Sequence, residues 1–254
     1  MIEITRHGDI HELRLARPPV NALNDELLGA LIAAVQSAPV QGARGIVLSG
    51  NEKVFSGGMD VPYLMALDRA GLAACWSRFF DAARAIAHSP VPVVAAIGGH
   101  NPAGGCVLAL CCDYRVMARS ADPAKPFRIG LNETQVGLAV PDAIQFLLRR
   151  VCGAQRAERL LVAGAMVDTE QALAYGIVDD VAEAGDVLAR SLRWLQETLA
   201  LPSGPMLATR AIARADVRAA LDGFDAEQLA WFIDGWYTAD TQSALQAVMA
   251  RLKK

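Results

Sequence analysis

Glu133 is the acid with the most suggestive surroundings. It sits in Gly130-Leu131-Asn132-Glu133-Thr134-Gln135-Val136-Gly137, a lone carboxyl among small and apolar residues, followed by a turn at Pro141. Apolar surroundings disfavour the ionised form, which lifts a carboxyl toward the pKa range useful for a general base. A helix-capping or solvated glutamate is the competing reading. Two glycine-rich turns each follow an apolar run. Phe55-Ser56-Gly57-Gly58-Met59-Asp60 comes soon after Ile46-Val47-Leu48, and Gly98-Gly99-His100-Asn101-Pro102-Ala103-Gly104-Gly105 follows Val93 to Ile97 directly. Glycine lets backbone approach a ligand closely, and a helix start leaves N–H groups without partners. Two such N–H groups converging on one oxygen would form an oxyanion hole; ordinary strand-to-helix turns are the alternative.

Other chemistries lack their signatures. There is no Gly-x-Ser-x-Gly elbow, no Walker loop and no Gly-x-Gly-x-x-Gly after a strand. The five cysteines form no Cys-x-x-Cys pair, so they read as buried reduced thiols rather than zinc ligands. Cys106, after Gly105 at a helix start, is the one candidate thiol nucleophile. His7 and His11 fall on a strand, where they would not converge on a metal, and read as two exposed histidines.

The elements that must position these groups follow from hydrophobic periodicity. Ile2 and Ile4, a Gly8-Asp9 turn, and Ile10, Leu13 and Leu15 make a hairpin ended by Pro18-Pro19. Asn24 caps a helix from Asp25 to about Ser37. Ile46–Leu48 and Val93–Ile97 suit strands covered on both faces, with a helix near Leu72 to His88 between them. Val107–Cys112 is predicted helical and Asp113–Ala118 a strand; helices over Ala143–Arg150, Gln155–Ala163 and Thr169–Tyr175 precede a strand at Ile177–Val181. From Leu188 onward the pattern is helical, with Trp231, Phe232, Trp236 and Tyr237 at helical spacing as core or subunit interface. This is an α/β core with a C-terminal helical subdomain. The formal charge of −3, with 24 basic and 27 acidic residues, and the lack of a basic block argue against nucleic-acid binding. No apolar run is long enough to cross a membrane, and Met1-Ile2-Glu3-Ile4-Thr5 is no signal sequence, so a cytoplasmic protein is expected.

Five ordered segments resemble the crotonase (enoyl-CoA hydratase/isomerase) superfamily: Arg17-Pro18-Pro19-Val20-Asn21-Ala22-Leu23-Asn24, Phe55 to Asp60, Ala103-Gly104-Gly105-Cys106, Glu133 to Gly137, and Ala157-Glu158-Arg159-Leu160 onward to Tyr175-Gly176-Ile177-Val178-Asp179. Each alone is weak; the ordered set covers most of the chain to about Val181. The resemblance implies a spiral of strand–strand–helix turns over residues 1–190 carrying an acyl-CoA site. It also implies a helical part over 191–254 that assembles a homotrimer or dimer of trimers. The ligand would be an acyl-CoA thioester, with no metal or redox cofactor.

Carried over residue by residue, the resemblance gives the backbone N–H groups of Met59 and Gly104 to the thioester oxygen. Val20, Ala22, Leu23, Ser56, Gly57, Gly58 and Asp60 would line the CoA adenine and pantetheine. Gly57 departs from a family preference for alanine. Family hydratases use two glutamates; Glu133 matches the second, but the first position is Val107, expected to face the acyl group from the helix begun near Gly104. Valine cannot hold a water. Moving a double bond needs only one base that takes a proton from C2 and returns it at C4. The wording Leu131-Asn132-Glu133-Thr134-Gln135 and Asn101-Pro102-Ala103-Gly104-Gly105-Cys106 is similar to the mitochondrial-type Δ3,Δ2-enoyl-CoA isomerases, in which Asn132 would contact the acyl ligand. An isomerase of fatty-acid β-oxidation is therefore the expectation. The alternatives are an enoyl-CoA hydratase or other one-carboxylate reaction, and a non-catalytic acyl-CoA-binding protein.

Overall fold

The computed structural model describes residues 1–252. Strands β1 (Ile2–His7) and β2 (Ile10–Leu15) form the hairpin, in register from Ile2 opposite Leu15 to His7 opposite Ile10. Helix α1 (Asp25–Val40) follows, capped by the Asn24 side chain on Leu27 N at 3.0 Å, and runs three residues beyond the expected end, through Pro39. Next come β3 (Gly45–Ser49), short α2 (Val61–Met65), α3 (Arg69–Ala87) and β4 (Val93–Ile97). Then β5 (Asn101–Pro102), α4 (Gly104–Leu110), β6 (Tyr114–Arg119) and β7 (Arg128–Gly130) lead to a single 3₁₀ turn at Glu133–Val136. Helices α5 (Asp142–Cys152) and α6 (Ala154–Ala163), β8 (Val167–Asp168), α7 (Thr169–Tyr175) and β9 (Asp180–Glu183) complete the spiral. The tail is α8 (Val187–Leu199), α9 (Ser203–Ala213), α10 (Ala215–Asp222), α11 (Ala226–Trp236) and α12 (Ala239–Leu252).

Six strands form one sheet in the order β1-β2-β3-β4-β6-β9, parallel except for the hairpin; β5, β7 and β8 form a smaller second sheet. The fully buried β3 and β4 alternate between two apolar cores, as the two-residue period of a strand requires. Ile46 and Leu48 face α1 and α3, whereas Val47 and Val94 face Leu195 and Leu199 of α8. Residue 190 thus lies inside a helix that covers the sheet.

Three local expectations change. Ile177 and Val178 are buried but precede the last strand, which begins at Asp180, because Asp179 is held by Arg115: its N–H reaches Arg115 O at 3.0 Å and its carboxylate accepts from Arg115 N at 2.9 Å. Helix α4, begun at Gly104, ends at Leu110 rather than at Cys112. His11 is buried, not exposed, because β2 lies between β1 and β3; burial and the charge of Arg6 lower its pKa. Among the described residues no helix is long and apolar enough to cross a membrane.

Candidate active site

The 3₁₀ turn that carries Glu133 is fixed at both ends. Leu138 N donates to Glu133 O at 3.0 Å, and Thr134 Oγ1 donates to Leu161 O at 3.2 Å. Glu133 is only 7% exposed, and its Oε2 has no hydrogen-bond partner. Burial pushes its pKa from an ordinary 4.5 up to about 7, its own backbone N–H offsetting a little. A base titrating there is ionised in part at neutral pH and strong enough to take an activated C–H proton.

The first glycine turn is shaped by the segment before α1. Leu23 N donates to Gly58 O at 2.8 Å, and Asp60 N donates to Leu23 O at 2.9 Å. These bonds use the peptide groups on either side of Met59. Extended backbone alternates direction, so the N–H of Met59 itself points away from Leu23. Gly58 has φ +82°, open to glycine, and a β-carbon there would lie 3.5 Å from Gly104 N. The two turns therefore abut. Gly104 opens α4, before the first intrahelical bond (Val107 N to Ala103 O, 3.0 Å), and Ala103 takes an unusual φ of +47° to turn the chain into it. Among the described residues neither Met59 N nor Gly104 N donates to a protein acceptor. Gly105 is needed for packing: a β-carbon would stand 2.3 Å from Asn101 Oδ1 and 2.9 Å from Ser56 Cβ.

Glu133, Met59 and Gly104 line one cavity of about 270 Å³. Gly57 and Asn132, whose Oδ1 is also unpaired, line it too. Gln135 and Arg251 add polar groups to the wall, and its apolar part is gathered from several elements: Leu64 of α2, Trp76 and Phe79 of α3, Leu138, Ile144 of α5, Phe232 and Trp236 of α11, and Leu245 and Val248 of α12. Trp76 packs edge-on against Phe79 and Phe232, with centroids 5.6 and 4.7 Å apart. The tail's aromatic stripe is thus divided. Phe232 and Trp236 are buried, while Trp231 and Tyr237 are exposed.

The remaining expected site residues are placed differently. Val107 is fully buried and does not line the cavity, because three residues beyond Gly104 the helix has turned that side chain into the core. Leu23 is core, and Ser56 is buried with its hydroxyl given to Asn21 O at 2.9 Å. Asp60 spends its carboxylate on Arg17 and on Tyr63 N. Val20 is exposed and stands beside Gly57, Ala22 is half-buried, and Gly58 is used for its backbone. None of these seven lines the cavity. Cys106 is buried and off the cavity wall, and burial together with the nearby Glu133 raises its thiol pKa far above the usual range; a thiolate nucleophile is disfavoured. All five cysteines are buried and unpaired, as their spacing suggested. Among the described residues no three His, Cys, Asp or Glu side chains gather to hold a metal.

The family profile described as enoyl-CoA hydratase/isomerase matches residues 5–253. The chain belongs to that family. It is 29% identical over 256 residues to the human enoyl-CoA delta isomerase 1, mitochondrial, covering 100% of this chain and 83% of that protein. It is also 34% identical over 227 residues to a probable enoyl-CoA hydratase of Mycobacterium avium, covering 89% and 84% respectively. The crystal structure of human mitochondrial delta3-delta2-enoyl-CoA isomerase superposes with a TM-score of 0.92 at 29% identity, over 99% of this chain and 98% of that one. The crotonase fold is that expected from the ordered motifs.

Proposed function

We propose that this family member is a Δ3,Δ2-enoyl-CoA isomerase of fatty-acid metabolism. The observation that carries the reading is that, among the described residues, Glu133 is the single carboxylate lining the cavity, buried, with Oε2 unpartnered and its pKa raised by burial to about 7. The C2 proton of a 3-enoyl thioester is activated by both the carbonyl and the alkene. Glu133 takes it, and the C2–H electron pair enters a dienolate whose charge rests on the thioester oxygen; as the carbonyl re-forms, that pair becomes the C2–C3 double bond and the C3–C4 π pair takes the proton back from Glu133 at C4. The negative charge develops on the thioester oxygen. Met59 N–H and Gly104 N–H, at adjoining turns, are the donors we assign to it, with the start of α4 adding its dipole. The steps move one proton and no net electrons, so they call for neither a metal nor a redox cofactor. Hydration would need a second group to hold a nucleophilic water, and among the described residues no second carboxylate lines the cavity.

The CoA portion would leave past Gly57 and exposed Val20. Exposed Leu201 and Ile212 at and beside α9, a helix with no buried residue, support the self-association implied by the family resemblance. The test is incubation with trans-3-enoyl-CoA and, separately, trans-2-enoyl-CoA, followed at the absorption of the conjugated thioester. Isomerisation makes that band appear from the first substrate; a faster loss of the band from the second would make the protein a hydratase instead.

A further inference from the structure

The turn that presents Met59 is held by a set of polar contacts that the chemistry itself does not use. Arg17 lies just after β2, and its guanidinium reaches two places. Nη1 donates to Ala22 O at 2.8 Å, and Nη2 donates to Asp60 Oδ2 at 2.6 Å. Asp60 is the residue directly after Met59. Its other oxygen accepts from Tyr63 N at 3.0 Å and caps α2. Asn21 completes the set from a left-handed backbone conformation, φ +51°, which asparagine tolerates better than most residues. Its Nδ2 donates to Phe55 O at 3.0 Å, and its Oδ1 accepts from Arg17 N at 2.9 Å. The Asn21 carbonyl receives the Ser56 hydroxyl, which in turn accepts from Gly58 N at 3.2 Å. The turn is therefore pinned before Met59 by Asn21 and after it by Arg17.

We propose that Arg17 is a positioning residue for catalysis: through Asp60 it fixes the direction of the Met59 N–H toward the thioester oxygen. The inference rests on the oxyanion role proposed above for Met59. The Arg17 and Asp60 side chains are 28% and 12% exposed, so the pair is partly shielded from solvent. It also has two anchors rather than one. The Ala22 carbonyl fixes where the guanidinium sits, and the planar fork then fixes where Asp60 sits. Lysine keeps the charge but cannot make both contacts in one geometry. An oxyanion donor acts only when its N–H is aimed at the position the oxygen reaches, and a displacement of about 1 Å in catalytic geometry can cost on the order of a hundredfold. Arg17 touches neither Glu133 nor the cavity wall. Its loss should therefore appear in polarisation of the thioester rather than in proton abstraction or acyl binding.

The experiment uses the full chain and four variants: Arg17→Met, Arg17→Lys, Asp60→Asn and the double Arg17→Met/Asp60→Asn. Asparagine at 60 keeps the cap on α2 while removing the charge that Arg17 grips. Turnover of 3-enoyl-CoA is measured per folded protein, beside melting curves. Cinnamoyl-CoA, a conjugated thioester that cannot isomerise, is bound to each variant in a Glu133→Gln background, and its absorption is read for the red shift that accompanies a polarised carbonyl. Arg17→Met should lower kcat about tenfold or more with KM within about threefold, and should reduce the red shift. Arg17→Lys should fall between, and serves in its place should the methionine variant not fold. The double variant should be no slower than Arg17→Met to within about twofold, because both changes break one link. A lowered melting temperature with unchanged kcat and unchanged red shift would make Arg17 a merely structural residue and overturn the proposal. Multiplying losses in the double variant would overturn it too. If cinnamoyl-CoA shows no red shift on the parent protein, the Met59 and Gly104 donors themselves are misassigned, and the role of Arg17 falls with them.

Discussion

Replacing Glu133 by Gln should raise stability and remove activity, and the two effects should share one titration. In the folded protein burial holds the Glu133 proton until about pH 7, whereas an unfolded glutamate releases it near 4.5. Between those values the folded state binds more protons, so the free energy of unfolding falls as pH rises. The loss is absent well below pH 4.5 and complete above pH 7. A shift of about 2.5 units corresponds to roughly 3 kcal/mol, of which about 2.5 develops between pH 5 and pH 8. Glutamine keeps the shape and never ionises, so its advantage over the parent should grow by that amount across the range. For a chain of this length that is about 5–10 °C in Tm. Every other titrating group is common to both proteins and cancels in the comparison. Urea titrations or melting curves at pH 5 and pH 8 read the difference directly. The parent's kcat/KM should rise through about pH 7 to a plateau, and the variant should lose at least about a hundredfold in turnover at all pH values while still binding CoA esters. A stability difference independent of pH would refute the reasoning, since Glu133 would then not be the desolvated base described.

Val107→Glu should destabilise the protein by about 3 kcal/mol or more, because it buries a carboxylate off the cavity wall, and should give no gain in hydration of 2-enoyl-CoA; a measurable gain would show that position 107 reaches the acyl group. A β-carbon at Gly104 would meet side chains, Phe79 Cε2 at 3.1 Å and Leu23 Cδ1 at 3.3 Å, rather than backbone. Gly104→Ala should therefore fold with a modest loss of turnover, while Gly104→Val, which displaces Phe79 from the cavity wall, should lose about a hundredfold per folded protein. Gly98→Ala should unfold, since its β-carbon would stand 2.6 Å from Asn51 O, and melting curves separate it from the Gly104 variants. A thiol-alkylating reagent should label none of the five cysteines at neutral pH without denaturant, Cys106 included; rapid labelling counted by mass would contradict their burial.

The polar centre of the site was legible because local sequence carries it. Glu133 stands alone among small and apolar neighbours, and the glycine turns follow continuous apolar strands, so the carboxyl and the turns to which roles are proposed stand out without a fold. The apolar wall was not legible. Trp76 comes from α3 and Phe232 and Leu245 from α11 and α12, about 150 residues later, and each reads equally well as ordinary core. Phe232 and Trp231 are adjacent at nearly the same distance from any motif, yet only packing decides that one is buried and the other 57% exposed. Val107 was misplaced because its role came from a motif position, whereas the helix turns its side chain into the core. The Arg17–Asp60 pair was not legible, because its members stand 43 residues apart and only the fold brings them together. His11 looked exposed because a two-residue alternation does not reveal that a strand lies inside a sheet.

The most direct test of single-base isomerisation is label transfer in one turnover. A 3-enoyl-CoA carrying deuterium at both C2 positions is mixed with excess enzyme in ordinary water, quenched, and the 2-enoyl product examined at C4 by mass spectrometry or NMR. A buried Glu133, 7% exposed, takes deuterium from C2 and delivers it to C4 in competition with exchange into solvent, so a clear fraction of the product should carry deuterium at C4. Product whose new C4 hydrogen comes wholly from water would contradict direct proton shuttling by a shielded Glu133.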